Sequence, residues 1–124
     1  MSTYAIATDN TLSVVSGPVT DGEKAACWIA AAANGNFYVA NAGSATLSAF
    51  HVGADGSVTL LPGTTPTAGG PIDLVASPDG QFVYSENGGA GTIDEFRVES
   101  DGSLTAIGQI TGLAGHVIEG LVAS

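Results

Sequence analysis

Three aspartates recur at a fixed interval: Asp9, Asp55 and Asp101, with 55 − 9 and 101 − 55 both equal to 46. The stretches around them, ATDNTLSVVS (7–16), GADGSVTLLP (53–62) and ESDGSLTAIG (99–108), are copies of one another. Apolar positions recur in step: Tyr4, Phe50 and Phe96; Ile6, Val52 and Val98; Leu12, Val58 and Leu104; Val15, Leu61 and Ile107. A second register repeats as well, since ANGNFYVANAGSATLSAFHV (33–52) parallels PDGQFVYSENGGAGTIDEFRV (78–98) with one residue inserted. DLVAS (73–77) returns as GLVAS (120–124). A chain built of such copies must bury the same face of the same unit several times over.

Each copy divides into short β-prone runs bounded by turn residues. The middle unit gives strands over roughly 27–32, 36–41, 46–52 and 57–61, and the next gives 72–76, 81–86, 92–98 and 103–107. Asn34-Gly35, Asp79-Gly80, Asp55-Gly56 and Asp101-Gly102 are dipeptides that accept positive φ in tight hairpins. Inside–outside alternation is weak, as in sheets covered on both faces. No segment carries a helical period. A period of 40 to 50 residues with four strands per unit is the signature of a β-propeller blade, so the expected fold is all-β, a partial propeller of four-stranded antiparallel blades.

With strands named A to D from the central channel outward, the chain reads C-D, A-B-C-D, A-B-C-D, A. That is the outer strands of one blade (1–16), whole blades over 25–61 and 71–107, and an inner strand (117–124). Such a fragment leaves apolar faces and strand edges open, which invites association. If the last inner strand of one chain joins the first outer strands of another, two chains give four whole and two hybrid blades. Three chains would give nine, beyond the usual 4–8, so the expectation is a homodimer closing a six-bladed ring. A fragment of a longer chain is the opposing reading.

Composition narrows the function. Twelve acidic residues face two basic ones, Lys24 and Arg97, for a formal net charge of −10. That field repels phosphate backbones and excludes nucleic-acid binding as a function class. No run of some 18 apolar residues is present, so no membrane span is expected. MSTYAIATDN lacks the basic and long apolar regions of a signal peptide, so the chain as written is read as cytoplasmic. Cys27 is the only cysteine, which excludes an intrachain disulfide.

At YVANAGSATLSAFHVGADGSVTLL and VASPDGQFVYSENGGAGTIDEFRVESDGSLTAIG the sequence resembles the lactonase-type β-propellers, the 6-phosphogluconolactonase-like and carboxymuconate-cyclase-like proteins with YVTN-type repeats. The shared features are a YV-x-N turn, a GS or GT before strand C, and ADGSLT; they cover nearly the whole chain and speak for fold more than chemistry. The resemblance implies a single seven-bladed chain close to three times this length, of which this one matches the C-terminal third. It also implies a hydrolase of lactones or related activated esters.

Strand direction alternates, so A–B and C–D turns share one face of the disc, and D–A and B–C connections the other. The first face holds the Asp-Gly turns, whose carboxylates are turn formers. The second collects Cys27, Trp28, Asp73, His116 and Glu119 at the starts of inner strands, with Asn41, Glu86 and Asn87 from B–C turns. Each has a structural alternative: Asn41 and Asn87 bonding their own hairpins, Trp28 as core, Asp73 as a loop cap, His116 and Glu119 as solvated rim, Cys27 as a small buried apolar residue. His51, beside Phe50 on an outer strand, is read as structural. Three mechanisms fit this set. His116 or Glu119 acts as general base on water attacking an activated ester, possible phosphotriesters included. Alternatively Cys27 is the nucleophile, activated by His116. Or Asp73, Glu86 and Glu119 hold Ca²⁺, the one cofactor considered. Trp28, Asp73, Asn41, Glu86 and Asn87 then contact substrate. The rival is a non-catalytic binding or scaffold module. The scarcity of Arg and Lys argues against a phosphorylated sugar lactone and for neutral or apolar esters.

Overall fold

The computed structural model describes residues 1–114 and 120–124, with Asn34 by its backbone alone. Ten strands follow in order: β1 (Thr3–Ile6), β2 (Leu12–Ser16), β3 (Ala26–Ala31), β4 (Asn36–Asn41), β5 (Thr46–Val52), β6 (Val58–Pro66), β7 (Pro71–Ala76), β8 (Phe82–Asn87), β9 (Thr92–Val98) and β10 (Leu104–Ile110). Among the described residues the one helical element is a 3₁₀ turn at Ala33–Gly35. The strands form an antiparallel pair, β1-β2, and two four-stranded meanders, β3-β4-β5-β6 and β7-β8-β9-β10. The expected C-D, A-B-C-D, A-B-C-D order is therefore present, as an open stack of sheets. Residues 120–124 carry no strand pairing, and 115–119 of the expected last inner strand lie outside the described residues.

Local chemistry sets the turns. In each C–D turn the aspartate Oδ1 accepts from the backbone N–H and the hydroxyl two residues on: Thr11 to Asp9, Ser57 to Asp55 and Ser103 to Asp101, at 3.0 and 2.7 Å in every copy. Asp79 does the same in an A–B turn, accepting from Gln81 N–H at 3.0 Å and from the Ser77 hydroxyl. These bonds favour the ionised carboxylate and hold all four aspartates below their ordinary value of 3.8.

The sheets pack face to face. Ala30, Tyr38, Ala40 and Leu47 of the β3–β6 sheet meet Leu74, Val83 and Phe96 of the β7–β10 sheet in one core. The opposite face of the β3–β6 sheet, with Val39, Phe50 and Val58, receives Met1 and Val19 from the β1-β2 unit. Burying both faces explains the weak alternation in the sequence. The Tyr38 hydroxyl crosses the interface and donates to the Gly102 carbonyl at 2.9 Å. Burial, and secondarily the Asp101 carboxylate, push that phenol up to about 12.

The outer strands run past their expected ends at 61 and 107, because each is bulged. Phe50 pairs with Leu60 but Ser48 with Thr64, so Leu61, Pro62 and Gly63 are looped out before pairing resumes. Pro62-Gly63 thus lies in a bulge inside β6. In β10, Ile107 is the extra residue between the Ala106–Phe96 and Gly108–Glu95 pairs; in β2, Val15 is the extra residue between Ser16–Thr3 and Val14–Tyr4.

Two outcomes test this packing. Tyr38→Phe leaves a buried carbonyl without its donor, and urea denaturation is expected to show a loss of about 1–3 kcal/mol. Carboxylates with depressed values contribute fully above 3.8 and lose that contribution as pH falls through the folded values. The melting temperature is therefore expected to drop below about pH 4, with a shallower drop in Ser57→Ala/Ser103→Ala, read by calorimetry across a pH series.

Candidate functional site

The hairpin geometry brings the starts of the inner strands and the B–C turns to one end of the stack. Ala26 pairs with Asn41, Pro71 with Asn87 and Asp73 with Glu86, so these positions lie side by side across strands A and B. Cys27 and Trp28 occupy the same end of β3. The two inner strands touch there, with the Cys27 thiol 3.8 Å from the Ile72 carbonyl.

The structure sorts the expected residues into three groups. Cys27 and Trp28 are open to solvent, Trp28 with 51% of its surface exposed, so neither is the core residue that its structural alternative supposed. Asp73 and Glu86 are carboxylates buried to 4% and 3% exposure on neighbouring strands. Asp73 Oδ2 accepts from the backbone N–H groups of Gly120 and Leu121, at 3.1 and 2.8 Å, and so fixes the segment that follows residues 115–119. Asn41 and Asn87 are fully buried and bridge their own hairpins. Asn41 Nδ2 donates to Ser48 Oγ at 2.8 Å and to Thr46 Oγ1 at 3.3 Å; Asn87 Nδ2 donates to Thr92 Oγ1 at 3.1 Å and its Oδ1 accepts from Ser85 Oγ at 3.4 Å. Each asparagine pins a B–C hairpin by the same repeated contact, the hydroxyl five residues on. His116 and Glu119 lie outside the described residues. Among the described residues no three of His, Cys, Asp and Glu are grouped so as to hold a metal ion, and Glu119 of the calcium set is outside them.

Sequence reasoning passed over two residues at this end. Glu23 Oε2 accepts from the Thr46 hydroxyl at 3.2 Å, and Lys24, one of the two basic side chains, lies against the B–C turn at Gly43, with its own N–H bonded to Ser44 Oγ at 2.9 Å. Their signal was the one that flagged Cys27, a place in the connection leading to an inner strand. Arg97 is far out on β9, paired with Glu99 at 2.8 Å. His51 Nδ1 lies 3.2 Å from Asn36 Oδ1, a structural contact on an outer strand.

Comparison with known proteins sharpens what the geometry implies. The family model described as "Lactonase, 7-bladed beta-propeller" matches residues 2–118. No curated protein sequence matches. Among solved structures, a functionally unknown protein from Desulfotomaculum acetoxidans superposes with a TM-score of 0.72 at 21% identity, over 86% of this chain and 33% of that one. A candidate 6-phosphogluconolactonase from Bacteroides uniformis gives 0.69 at 20% identity, over 89% of this chain and 36% of that one. The periplasmic gluconolactonase of Pseudomonas aeruginosa gives 0.69 at 18%, over 95% and 37%. The chain spans about a third of the length of each of these structures.

Asp73 anchors residues 120 and 121 to the start of β7. In Asp73→Ala the Gly120 and Leu121 amides lose their acceptor, and hydrogen exchange there is expected to accelerate at least tenfold, about the equivalent of 1.4 kcal/mol. Unchanged exchange would mean that the segment is held by its apolar contacts instead.

Proposed function

The chain belongs to the seven-bladed β-propeller lactonase family, and from that premise we propose that it hydrolyses lactones or related activated esters at the end of the stack where its inner strands begin. The family match over residues 2–118 carries the proposal. Its support in the chain is a polar cluster at one end of inner strands, where propellers present a channel mouth. Buried Asp73 and Glu86 stand there beside exposed Cys27 and Trp28.

In the reaction, a base takes a proton from water as the water oxygen bonds to the carbonyl carbon. The tetrahedral oxyanion collapses, the ring C–O bond breaks, and the departing alkoxide regains a proton, leaving a hydroxy acid. His116 suits the base because imidazole titrates near neutrality, and Glu119, three residues on, suits its orientation. Trp28 offers an apolar stacking surface for the body of the substrate. The −10 charge, with Lys24 as the one Lys or Arg at this end among the described residues, favours neutral over phosphorylated substrates.

A second reading, a binding or scaffold module, draws on the engagement of Asn41, Asn87 and Asp73 in bonds within the chain. A substrate panel separates the two: γ- and δ-lactones, chromogenic esters, phosphotriesters and a phosphorylated sugar lactone, each with and without EDTA. Expected is turnover of neutral lactones that falls about 10²–10⁴-fold in His116→Ala, with Glu119→Ala and Cys27→Ala assayed beside it. No turnover on any substrate sinks the hydrolase reading, and activity surviving all three substitutions sinks this site. Loss with EDTA would assign the carboxylates to Ca²⁺.

A further inference from the structure

The joint between the β3–β6 and β7–β10 sheets opens, where β6 leads over to β7, into a cleft of about 530 Å³. One wall is the connection between the sheets, Pro66, Thr67 and Ala68. The other is the face of β9 and β10 that carries Asp94, Phe96 and Gln109. The connection is fastened to both units. Thr67 N–H donates to the Ala45 carbonyl at 3.0 Å, in the B–C turn of the earlier unit. Ala68 N–H donates to Asp94 Oδ2 at 2.8 Å in the later one. Gln109 Nε2, on the neighbouring strand, donates to Asp94 Oδ1 at 2.6 Å.

Asp94 departs from the repeat. Ser48 holds its place one period earlier, pairs with Thr64 and accepts from the Asn41 amide at 2.8 Å, so it serves its own hairpin. In the later unit Asn87 gives its amide to Thr92 instead, and the Ser–Thr pair is replaced by Asp94–Gln109. The carboxylate is turned to the joint. It is 7% exposed, and its two bonds come from neutral donors. Burying a carboxylate is costly unless a cation or a full set of donors compensates it. Among the described residues neither basic side chain forms an ion pair with it; Arg97, on the opposite face of β9, is held by Glu99. Each carboxylate oxygen has a second lone pair. In the facing wall the Thr67 hydroxyl is buried without a hydrogen-bond partner among the described residues. Phe96, Pro66 and Ala68 add apolar surface.

We propose that this cleft binds a primary ammonium group carried on a short apolar stem. The ammonium supplies the charge that Asp94 lacks and three N–H donors, with the Thr67 hydroxyl and the Gln109 amide oxygen as further acceptors. The stem lies against Phe96 and Pro66. An anion is repelled by the same carboxylate, and a neutral polyol leaves the buried charge uncompensated. A divalent metal ion fits less well, because Asp94 is the one carboxylate in the lining and hard cations need several oxygen ligands. The field of a chain at −10 draws cations towards it. Such a group comes from a free amine or from a lysine side chain of another protein. The proposal goes beyond the hydrolase reading and stands whether or not that reading holds.

Titration with n-butylammonium chloride, followed by backbone amide NMR, tests this. Controls at the same concentrations are n-butanol, tetramethylammonium chloride and sodium chloride. Butylammonium is expected to give saturable shifts concentrated at Ala68, Asp94 and Gln109. Tetramethylammonium, which has the charge but no N–H, is expected to bind more weakly, and butanol not at all. Asp94→Asn keeps the shape and an acceptor for Ala68 while removing the charge, and is expected to weaken butylammonium binding by about tenfold or more. Gln109→Arg, at an exposed position, brings a tethered guanidinium to the carboxylate. It is expected to raise the melting temperature and to abolish butylammonium binding. A lysine-containing peptide that binds more tightly than the amine points to a protein side chain as occupant, and equal or weaker binding points to a free amine; either outcome supports the site. Shifts spread over the acidic turns and reproduced by sodium chloride would overturn the proposal. So would an equal response to butanol, or undiminished binding in either variant.

Discussion

The β3–β6 sheet has two apolar faces, and a sheet with two apolar faces is stable only between neighbours. It has both: Val39, Phe50 and Val58 are covered from one side, Ala40, Leu47 and Tyr38 from the other. Removing a ring such as Phe50 or Phe96 from these joints would cost about 3–5 kcal/mol, a large share of the stability of a domain this size. The hydrogen bond from Tyr38 to Gly102 is weaker than that packing, yet it fixes how the sheets are set, because a bond of 2.9 Å tolerates little sliding.

The same constraint explains the glycines that matter. Gly56 and Gly102 take positive φ, which a tight turn of this kind needs, and each is also the point where a bulged side chain of the previous unit arrives. A methyl group at 102 would meet both demands badly, since the backbone would be strained and Leu61 displaced. Bulge and glycine work as one device: the extra residue turns Val15, Leu61 or Ile107 outward, and the absent side chain leaves room for it. Asn10 keeps the turn conformation without giving up its side chain. The leading unit is therefore the one whose turn carries bulk at this point.

How much of this was legible beforehand depends on the range of the cause. Aspartate–hydroxyl turns are set within three residues, so the repeat at 9, 55 and 101 placed them, and most bounds of the eight inner and outer strands of the two whole blades fell within one residue of those observed. The order of strands followed from the period alone. The strand expected to end at 61 runs on to Pro66 because Leu61, Pro62 and Gly63 loop out of it, and only pairing across the sheet, Thr64 to Ser48, shows that it resumes. At the candidate site the alternation of strand direction gathered Cys27, Trp28, Asp73, Glu86, Asn41 and Asn87 to one end, as the registers show. What it could not reveal was depth. Asn41 and Asn87 turn into their own hairpins, and Asp73 reaches a backbone nearly fifty residues away, a contact for which no local pattern exists.

A formal charge of −10 acts where the carboxylates stand. Asp9, Asp55, Asp79 and Asp101 are exposed on hairpin turns, whereas the exposed Tyr4, Ile6, Leu12 and Val14 of β1 and β2 are apolar. Glu95 stands beside Tyr84 and Ile93 on the β7–β10 sheet. At physiological salt the screening length is about 8 Å, so carboxylates on solvated turns contribute little to the apolar joint between the β3–β6 and β7–β10 sheets. Burial there, which scales with the area removed from water, holds the stack together. The acidity acts at the turns, where it keeps the exposed rims of different molecules apart.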